Sequence, residues 1–447
     1  MRMTRRAFLG SAAAGLAQQR AGRPNIIVIL ADDLGYGDLG CYGQKRIQTP
    51  HIDRLAAEGT RFVSAYSGST VCAPSRCVLM TGKHTGHSTV RGNHDPEIPI
   101  RRDEATIGTV LKAAGYRNAV FGKWGLGANQ DDGTPLQRGY DEFFGYMNHW
   151  HAHQAFPDYI WDGRREQRLI ENWFHQRKVF APDLFADRAV EFLKKQSAGQ
   201  PFFMYFASII PHANNELGRF QPNGMEAPDQ GMYAKESWPD VEKNFAAAIT
   251  RLDSYVGRIV ETLRAKGLDE NTLIVFTSDN GSHKEGGHDP KFFGSAGPLR
   301  GNKRDMYEGG IRVPAIVRWP GRVKTGAVSD TPWAFWDLLP TFAELGGAKT
   351  PAGLDGVSLV GLWTRGEAPR RDHFYWEFHE RGFHQALRQG NWKLVRQGPK
   401  YAVELFDVAK DIGEQNDVAA QHKDVVARLE KLLVSGRTES KEFPVKR

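Results

Sequence analysis

Cysteine is scarce in this chain, and long apolar runs are missing from it. Its 447 residues include three cysteines, Cys41, Cys72 and Cys77, with neither a Cys-x-x-Cys pair nor a histidine at zinc-site spacing. A disulfide-stapled scaffold is thereby excluded, and nothing indicates a structural zinc. Beyond the N-terminal segment no stretch approaches the roughly 18 apolar residues of a bilayer-spanning helix, so we expect no transmembrane segment.

Blocks of like charge are also missing. The chain carries 59 Lys and Arg against 52 Asp and Glu, a formal net charge of +7, but the basic residues are spread along its length. That distribution argues against a nucleic-acid-binding protein and is neutral about acidic glycans. With 40% hydrophobic and 25% charged residues, the composition is that of a globular protein, and the length predicts one large domain plus a smaller one.

The first 23 residues have the pattern of an export signal. Arg5 and Arg6 precede Phe8 and Leu9, and a short run of small residues follows, an arrangement that resembles a twin-arginine signal. We therefore expect an exported protein, periplasmic or secreted, with the folded domain starting near Pro24. An ordinary N-terminus without a targeting signal is the alternative.

Short apolar runs alternate with helical patterns through most of the chain. The run from residue 25 to 30 is continuous, as in a strand buried on both faces, and residues 245–263 keep helical spacing up to Gly267. Strands separated by helices predict an α/β fold over residues 24–365, a large, mostly parallel sheet sandwiched by helices. The predicted strands are 25–30, 117–121, 202–207 and 272–276, and the predicted helices begin at Pro50 and cover 105–114, 186–195 and 245–263.

The pattern changes after about Gly366. Alternating residues at 374–378, 385–388 and 392–395 predict short strands, and residues 423–433 predict a helix. We therefore expect residues 366–447 to form a small C-terminal α+β subdomain, an antiparallel sheet that carries one helix.

Acidic residues directly follow two of the predicted strands. Asp32 and Asp33 come after the first strand, and Asp279 and Asn280 follow the strand that begins at Thr272. Successive side chains of a strand point to opposite faces, so two adjacent carboxylates can reach one ion only where the strand ends and the backbone turns. Carboxylate and amide oxygens favour a hard cation, calcium or alternatively magnesium. Ordinary turns are the alternative explanation of both motifs.

A third motif occupies residues 71–82, Val-Cys-Ala-Pro-Ser-Arg-Cys-Val-Leu-Met-Thr-Gly. It resembles the signature of the type I sulfatases of the alkaline phosphatase superfamily, the arylsulfatases among them, which is Cys-x-Pro-Ser-Arg followed by Leu-x-Thr-Gly. The resemblance implies that a formylglycine-generating enzyme oxidises Cys72 to formylglycine. This residue then acts as nucleophile and metal contact, and Arg76 orients it. A buried structural cysteine is the alternative.

The resemblance extends through nearly all of the mature chain. It assigns Lys123, in Phe-Gly-Lys-Trp-Gly-Leu-Gly, and Lys303, in Arg-Gly-Asn-Lys, to the binding of the sulfate group. It assigns His212, in Pro-His, to protonation of the leaving alcohol, assisted by Lys303. One position departs from the family pattern: Gly125 stands where many members have the histidine that removes a proton in the second half of the reaction.

A histidine-rich loop at residues 149–153 offers replacement imidazoles. It contains His149, His151 and His153, of which we select His151 as a candidate contact to the substrate. A polar loop that contains histidine by chance is the alternative.

These observations predict hydrolysis of sulfate esters through a formylglycine nucleophile and bound calcium. A carbohydrate sulfate is favoured because the histidine-rich loop and residues 376–384 could contact sugar hydroxyls. The expected partners are a sulfated small molecule or saccharide and, during maturation, the formylglycine-generating enzyme. Two alternatives stay open: a phosphodiesterase or phosphonate monoester hydrolase with the same site, and a non-catalytic glycan-binding relative in which Cys72 stays a thiol.

Overall fold

A computed structural model describes residues 22–128, 131–380 and 382–445 of the chain. The predicted twin-arginine segment lies outside the described residues. Among the helices within the described ranges, none has the length and the apolar character needed to cross a membrane.

A large sheet organises most of the described chain. Its centre consists of strands with nearly continuous apolar sequence, as expected for strands covered on both faces. In chain order its eleven strands are β1 (Asn25–Ala31), β2 (Thr60–Tyr66), β3 (Arg117–Lys123), β4 (Glu142–Tyr146), β5 (Tyr159–Asp162), β6 (Arg165–Arg168), β7 (Phe202–Ala207), β8 (Thr272–Ser278), β9 (Arg312–Arg318), β10 (Ala327–Ser329) and β11 (Trp333–Ala334).

The spatial order of the strands is β10-β2-β9-β8-β1-β7-β3-β4-β5-β6, and β11 also pairs with β2. The five central strands, β8, β1, β7, β3 and β4, run parallel. Strand β9 runs antiparallel to β2 and β8, and β5 runs antiparallel to β4 and β6. The predicted mostly parallel α/β sheet is confirmed.

Helices cover both faces of the sheet. Side chains of β1 alternate between two cores: Ile26 and Val28 pack on one side, and Ile27 and Ile29 on the other. The α-helices of the described ranges are α1 (Pro50–Ala57), α2 (Cys72–Thr81), α3 (Ile107–Ala113), α4 (Ala181–Lys194), α5 (Asp240–Ala265), α6 (Pro290–Phe293), α7 (Glu308–Ile311), α8 (Leu338–Gly346), α9 (Val360–Arg365) and α10 (Lys423–Ser435).

The sequence pattern misses helix α2 and the first turns of α4 and α5. All ten residues of α2 are buried, so this helix has no polar face and shows no amphipathic period. Helix α4 begins five residues before the predicted start, with Pro182 in its first turn, where proline is tolerated. Helix α5 begins at Asp240 rather than at Phe245, because apolar periodicity marks the buried face and not the first helical residue.

A second, smaller sheet follows α9. One face packs on α10 through Leu387, Leu394 and Leu429, and the other contributes Trp376 and Val395 to a core of the large sheet. The predicted small antiparallel sheet with one helix is confirmed, while the domain boundary at residues 365 and 366 stays a prediction. Its antiparallel strands, in spatial order, are β12 (Phe374–Phe378), β13 (His384–Gln389), β14 (Trp392–Arg396) and β15 (Val403–Asp407).

Candidate active site

The carboxyl ends of β1 and β8 bring the acidic motifs together. The two strands are parallel neighbours, with Ala31 in register with Ser278, so Asp32 and Asp279 follow at the same edge of the sheet. Asp33 has a φ of 68°, in the left-handed region that allows a sharp turn. That turn ends the strand's alternation and lets both adjacent carboxylates face the same space, as the sequence predicts.

Buried carboxylate and amide oxygen atoms cluster at the strand ends. Asp33 N donates to Asp279 Oδ1 at 3.1 Å, and Asn280 Nδ2 donates to Asp33 Oδ1 at 2.7 Å. Ligand atoms of Asp32, Asp33 and His212 lie within 4.8 Å of one another. Asp32 Oδ1 and Asn280 Oδ1 are buried and have no hydrogen-bond partner within the described residues. Unpartnered buried oxygens are costly, so this donor set fits a hard cation.

Three cations pair with the three carboxylates. Arg76 donates to Asp279 Oδ2 through Nη2 at 2.7 Å and Nε at 3.1 Å. Lys123 Nζ donates to Asp32 Oδ2 at 2.6 Å, and Lys303 Nζ donates to Asp33 Oδ2 at 2.8 Å. The two lysines that the sequence predicts for sulfate binding therefore both lie at the strand ends.

Two of these carboxyls have pKa values that are shifted in opposite directions. Burial opposes the ionisation of Asp32, but the charges of Lys123 and its neighbours outweigh it and hold the pKa of Asp32 well below its ordinary value. Burial and the nearby charge of Asp32 raise the pKa of Asp279 to about 7, despite the attraction of Arg76. A further positive charge at this place would favour the ionised form of Asp279.

Cys72 is the first residue of α2. Its side chain is buried, and Sγ lies 3.6 Å from Asn93 Oδ1, which also accepts a hydrogen bond from Ala73 N at 3.1 Å. Burial raises the pKa of the thiol. The first N–H groups of a helix have no intrahelical partner and carry its positive dipole end, so residue 72 stands where developing negative charge is stabilised.

His212 and Lys303 form a second pair beside the strand ends. Lys303 Nζ donates to His212 Nε2 at 3.1 Å and to Glu285 Oε2 at 3.0 Å, and His212 Nδ1 donates to the Ala213 carbonyl at 2.6 Å. Burial and the charge of Lys303 lower the pKa of His212 well below its ordinary value. The imidazole is therefore neutral near pH 7, and the lysine supplies the charge of the pair.

One cavity of about 450 Å³ opens onto these groups. Cys72, His212 and Lys303 line it, together with His149 and His153. The remaining lining residues are Asn93, Trp150, Asn215, Gly218, Arg219, Glu285, Gly286, Arg304 and Glu380. Arg76 and Lys123 are fully buried and are not among the lining residues.

The structure does not bring His151 to this cavity. Its ring packs between Tyr159 and Tyr146, at centroid distances of 4.3 and 4.9 Å. The loop forms a turn of 3₁₀-helix, in which residues three apart share a face. Trp150 and His153 therefore both face the cavity, and His151 points elsewhere. The selection of His151 over its two neighbours is corrected accordingly.

Sequence reasoning also misses Asn93, Glu285 and Glu97, which pairs with ring Nδ1 of His149. Asn93 contacts Cys72, and Glu285 pairs with Lys303, but both lie in loops without a periodic pattern. Glu285 follows Asn280 by five residues, so the second strand-end motif is the only local signal that could indicate it. The three cysteines of the chain are free in the structure.

Two family models match the chain. The sulfatase model matches residues 24–348, and a model described as N-sulphoglucosamine sulphohydrolase, C-terminal, matches residues 301–439. The second match includes the small antiparallel sheet. The two matches together account for nearly all of the described chain.

Curated proteins and solved structures agree with these matches. The chain is 33% identical over 392 residues to N-acetylgalactosamine-6-sulfatase of Rattus norvegicus, covering 82% of this chain and 70% of the relative. It is 34% identical over 447 residues to arylsulfatase A of Homo sapiens, covering 90% and 81%. The structure of Ps i-CgsB in complex with k-i-k-neocarrahexaose has a TM-score of 0.80 and 30% identity, covering 93% and 94%. The protein belongs to the sulfatase family and hydrolyses sulfate esters.

Proposed function

We propose that the protein hydrolyses carbohydrate sulfate esters with a formylglycine made from Cys72 and a calcium ion held at the strand ends. One observation carries the proposal. The cavity that contains Cys72 is also lined by His212 and Lys303, and Lys303 donates to Asp33 at the strand ends. The proposed nucleophile, acid, cation and metal ligands would thus act at one place, as sulfuryl transfer requires.

Residue 72 is the nucleophile in this proposal. Formylglycine supplies, as its hydrate, a hydroxyl that attacks sulfur and a carbonyl that re-forms when sulfate leaves. The first turn of α2 stabilises the negative charge that develops there. Arg76, one turn later, donates to Asp279 and to the Lys123 carbonyl. It thereby fixes the positions of the groups that surround residue 72.

Calcium suits the oxygen atoms of the strand ends, and magnesium is the alternative ion. Asp32, Asp33, Asp279 and Asn280 would hold it, with residue 72 as a further contact. The unpartnered oxygens of Asp32 and Asn280 support this assignment. The ion would supply positive charge that polarises the ester and lowers the pKa of the attacking hydroxyl.

Two lysines and one histidine complete the proposed chemistry. Lys123 and Lys303 carry positive charge next to the strand ends, where it can neutralise charge that spreads over the sulfate oxygens. His212 Nε2 accepts a hydrogen bond from Lys303, so the pair holds one transferable proton at the cavity. We assign protonation of the leaving oxygen to His212, which would take this proton from Lys303 Nζ, because its own Nδ1 proton is donated to the Ala213 carbonyl.

The rest of the cavity wall suits a saccharide. Asn93, Asn215 and Arg219 offer hydrogen-bonding groups, and the indole of Trp150, 39% exposed, offers an apolar face. Sugars combine hydroxyls with apolar ring faces, so a mixed wall fits them better than it fits a purely apolar group. The related structure with k-i-k-neocarrahexaose supports the same substrate class.

Export completes the proposal. Arg5 and Arg6 support a twin-arginine route to the periplasm or the medium. That route carries folded proteins, which suits a site modified at residue 72 before translocation. Replacing both arginines by lysine should leave the precursor in the cytoplasm, and unchanged secretion would contradict the assignment.

Mass spectrometry of the peptide that contains residue 72 tests the nucleophile, after expression with and without a formylglycine-generating enzyme. We expect formylglycine and turnover only in the first preparation. Assays of that preparation against position-defined sulfated saccharides, an aryl sulfate and a phosphate ester test the substrate class, and a saccharide sulfate should give the highest kcat/KM. Activity with residue 72 entirely as cysteine, or a preference for the phosphate ester, would contradict the proposal.

A further inference from the structure

Gly125 has no side chain, and His149 lies next to the place that a side chain at position 125 would occupy. Its φ is 71°, and a Cβ built on it would lie 3.8 Å from His149 Cβ and 4.0 Å from Arg76 Cδ. Both are ordinary contacts, so the neighbouring space is already occupied at van der Waals distance. The side chain of His149 therefore starts next to the place where a side chain from position 125 would start.

Glu97 fixes the orientation of the His149 ring. Its Oε1 accepts hydrogen bonds from the backbone N–H and from ring Nδ1 of His149, and the two side chains are only 6% and 2% exposed. An imidazole that donates from Nδ1 to a carboxylate carries its free lone pair on Nε2. The pair therefore presents a proton acceptor at a defined atom.

His149 Nε2 is buried and has no hydrogen-bond partner among the described residues. His149 also lines the cavity that contains Cys72. A buried ring nitrogen without a partner costs free energy unless a ligand or a reacting group completes it. His149, a proton acceptor with a fixed ring orientation, thus lies at the wall of the cavity that contains Cys72.

The other two histidines of the loop are placed differently. His153 Nδ1 pairs with Glu216, and its ring stacks on His212 at a centroid distance of 4.6 Å. It therefore lies on the side of the proposed acid. His151 packs between two tyrosines. Only His149, of these three, combines a place beside Gly125 with an unpartnered buried nitrogen.

We propose that His149, held by the positioning residue Glu97, is the base that regenerates the aldehyde at residue 72; this inference rests on the proposed formylglycine mechanism. Nε2 takes the proton of the hydroxyl that remains on the sulfated hydrate. The electron pair of that O–H bond forms the carbonyl, and the bond from carbon to the sulfate oxygen breaks with its pair leaving on sulfate. The imidazolium then passes its proton to solvent, and water adds to the aldehyde to restore the hydrate.

The chain contains a matched control for this pair. His288 Nδ1 donates to Glu242 Oε2 at 2.7 Å, Asp289 N donates to the other oxygen at 2.9 Å, and His288 Nε2 is likewise buried without a partner among the described residues. Its ring, however, stacks on Phe245 at 3.8 Å and does not line the cavity of Cys72. Loss of either histidine removes a buried imidazole, but only loss of His149 should change the chemistry.

Rapid acid quench and mass spectrometry of residue 72 test the inference in the holoenzyme. His149→Ala should lower kcat by roughly 100-fold or more and make the sulfated form of residue 72 the dominant one. If His149→Ala is unstable, His149→Gln, which keeps most of the side-chain volume, should show the same fall in kcat and the same accumulation of sulfated residue 72. Added imidazole should restore part of the rate of His149→Gly. His288→Ala should lower thermal stability while kcat and the state of residue 72 stay as in the wild type.

Glu97 is tested separately because it acts through His149. Glu97→Ala should reduce kcat, and Glu97→Gln, whose amide oxygen can still accept from Nδ1, should restore most of it. Nitrogen-15 NMR of unmodified protein gives a readout without turnover: the His149 ring should be protonated at Nδ1 in the wild type, and Glu97→Ala should abolish that preference.

Three outcomes would overturn the inference. One is an active wild-type enzyme together with His149→Ala and His149→Gln variants whose kcat lies within about twofold of the wild-type value. The proposed function would then stand. A second is protonation of the His149 ring at Nε2 in the wild type. A third is a wild type without formylglycine or sulfatase turnover, in which case the proposed function falls as well.

Discussion

Two of the buried charge clusters among the described residues differ in what surrounds them. The active-site cluster consists of Asp32, Asp33 and Asp279 with the cations Arg76, Lys123 and Lys303. The Lys393 cluster consists of Lys393, on β14, with Glu308 and Glu414, and Lys393 Nζ lies 2.9 Å from one oxygen of each glutamate. Burial and close ion pairs are common to both, so neither property identifies a catalytic site.

The surroundings separate the two clusters. Lys303, in the active-site cluster, lines the cavity that contains Cys72, whereas none of the three residues of the Lys393 cluster lines it. The Lys393 cluster joins the small sheet to α7, because Lys393 belongs to β14 and Glu308 to α7, and Glu308 N donates to Glu414 Oε2 at 2.6 Å. One cluster faces a space where a ligand can bind, and the other holds two parts of the fold together.

The direction of the pKa shift does not separate the clusters, because each has one carboxyl with a lowered pKa, Asp32 or Glu308, and one with a raised pKa, Asp279 or Glu414. Burial and the charge of Asp32 raise the pKa of Asp279 to about 7. Burial also opposes the ionisation of Glu308, but Lys393 and Arg312 outweigh it and lower its pKa to about 2. A further cation at the active-site cluster would favour the ionised form of Asp279.

The largest effect should come from Cys72→Ala. Without a nucleophile, sulfatase kcat/KM should fall by roughly 10⁴-fold or more. Assay of a sulfate ester after expression with a formylglycine-generating enzyme measures this. Cys77→Ala, five residues later on α2, removes another buried thiol. Cys77→Ala should lower stability and leave turnover unchanged. An equal loss of turnover in both variants would show that the loss comes from damage to helix α2 and not from removal of the nucleophile.

Asp279→Ala should have the next largest effect. It removes a proposed ligand, so calcium affinity should fall at least roughly 100-fold, and turnover should be lost with it. Calorimetric titration of protein with unmodified Cys72 measures affinity apart from chemistry. The control is Glu414→Ala in the Lys393 cluster, which should bind calcium as the wild type does. Normal activity of Asp279→Ala in the presence of a chelator would show that the metal site is wrong.

Cys72 and Asp279 are among the parts of the site that the sequence could predict. Asp279 directly follows an apolar strand, and parallel neighbours end at the same edge, so local pattern and sheet geometry place it beside Asp32. Cys72 stands in a compact motif of five residues. The predicted fold is confirmed for a related reason, since strands buried on both faces have continuous apolar sequence.

The residues that sequence misses meet only through the tertiary fold. Glu97 and His149 are 52 residues apart, in two loops, and no periodicity relates them. Asn93 reaches Cys72 in the same way. The choice among His149, His151 and His153 depends on which way a short 3₁₀ turn faces, and spacing along the chain does not specify that direction.

Lys393→Met should affect stability and leave catalysis intact. It leaves Glu308 and Glu414 buried without their shared cation, at a cost of about 3–5 kcal/mol in the free energy of unfolding. Denaturant unfolding measures this cost, and kcat per folded molecule should not change. Lys410→Met is the control, because Lys410 is 86% exposed and its ion pair with Asp407 spans 3.5 Å; it should cost less than about 1 kcal/mol. Loss of kcat in folded Lys393→Met would assign the cluster to the active site.

The smallest effect concerns the pH dependence of stability. Since the pKa of Glu308 is lowered from 4.5 to about 2 in the folded protein, the unfolded chain takes up this proton first as the pH falls. The contribution of Glu308 is therefore fully present above about pH 4.5 and is lost between about pH 4.5 and 2. Glu308→Gln should flatten the acid limb of a plot of unfolding free energy against pH.

Glu414 gives the opposite control within the same cluster. Burial raises its pKa above 4.5, although Lys393 counteracts the shift. A raised pKa means that its contribution is present below the unfolded value and is lost as the pH rises through the folded value. Glu414→Gln should therefore leave the acid limb at least as steep as in the wild type. Urea unfolding of the three proteins between about pH 3 and 7 measures the slopes, and equal slopes for the two variants would show that the two glutamates do not have opposite shifts.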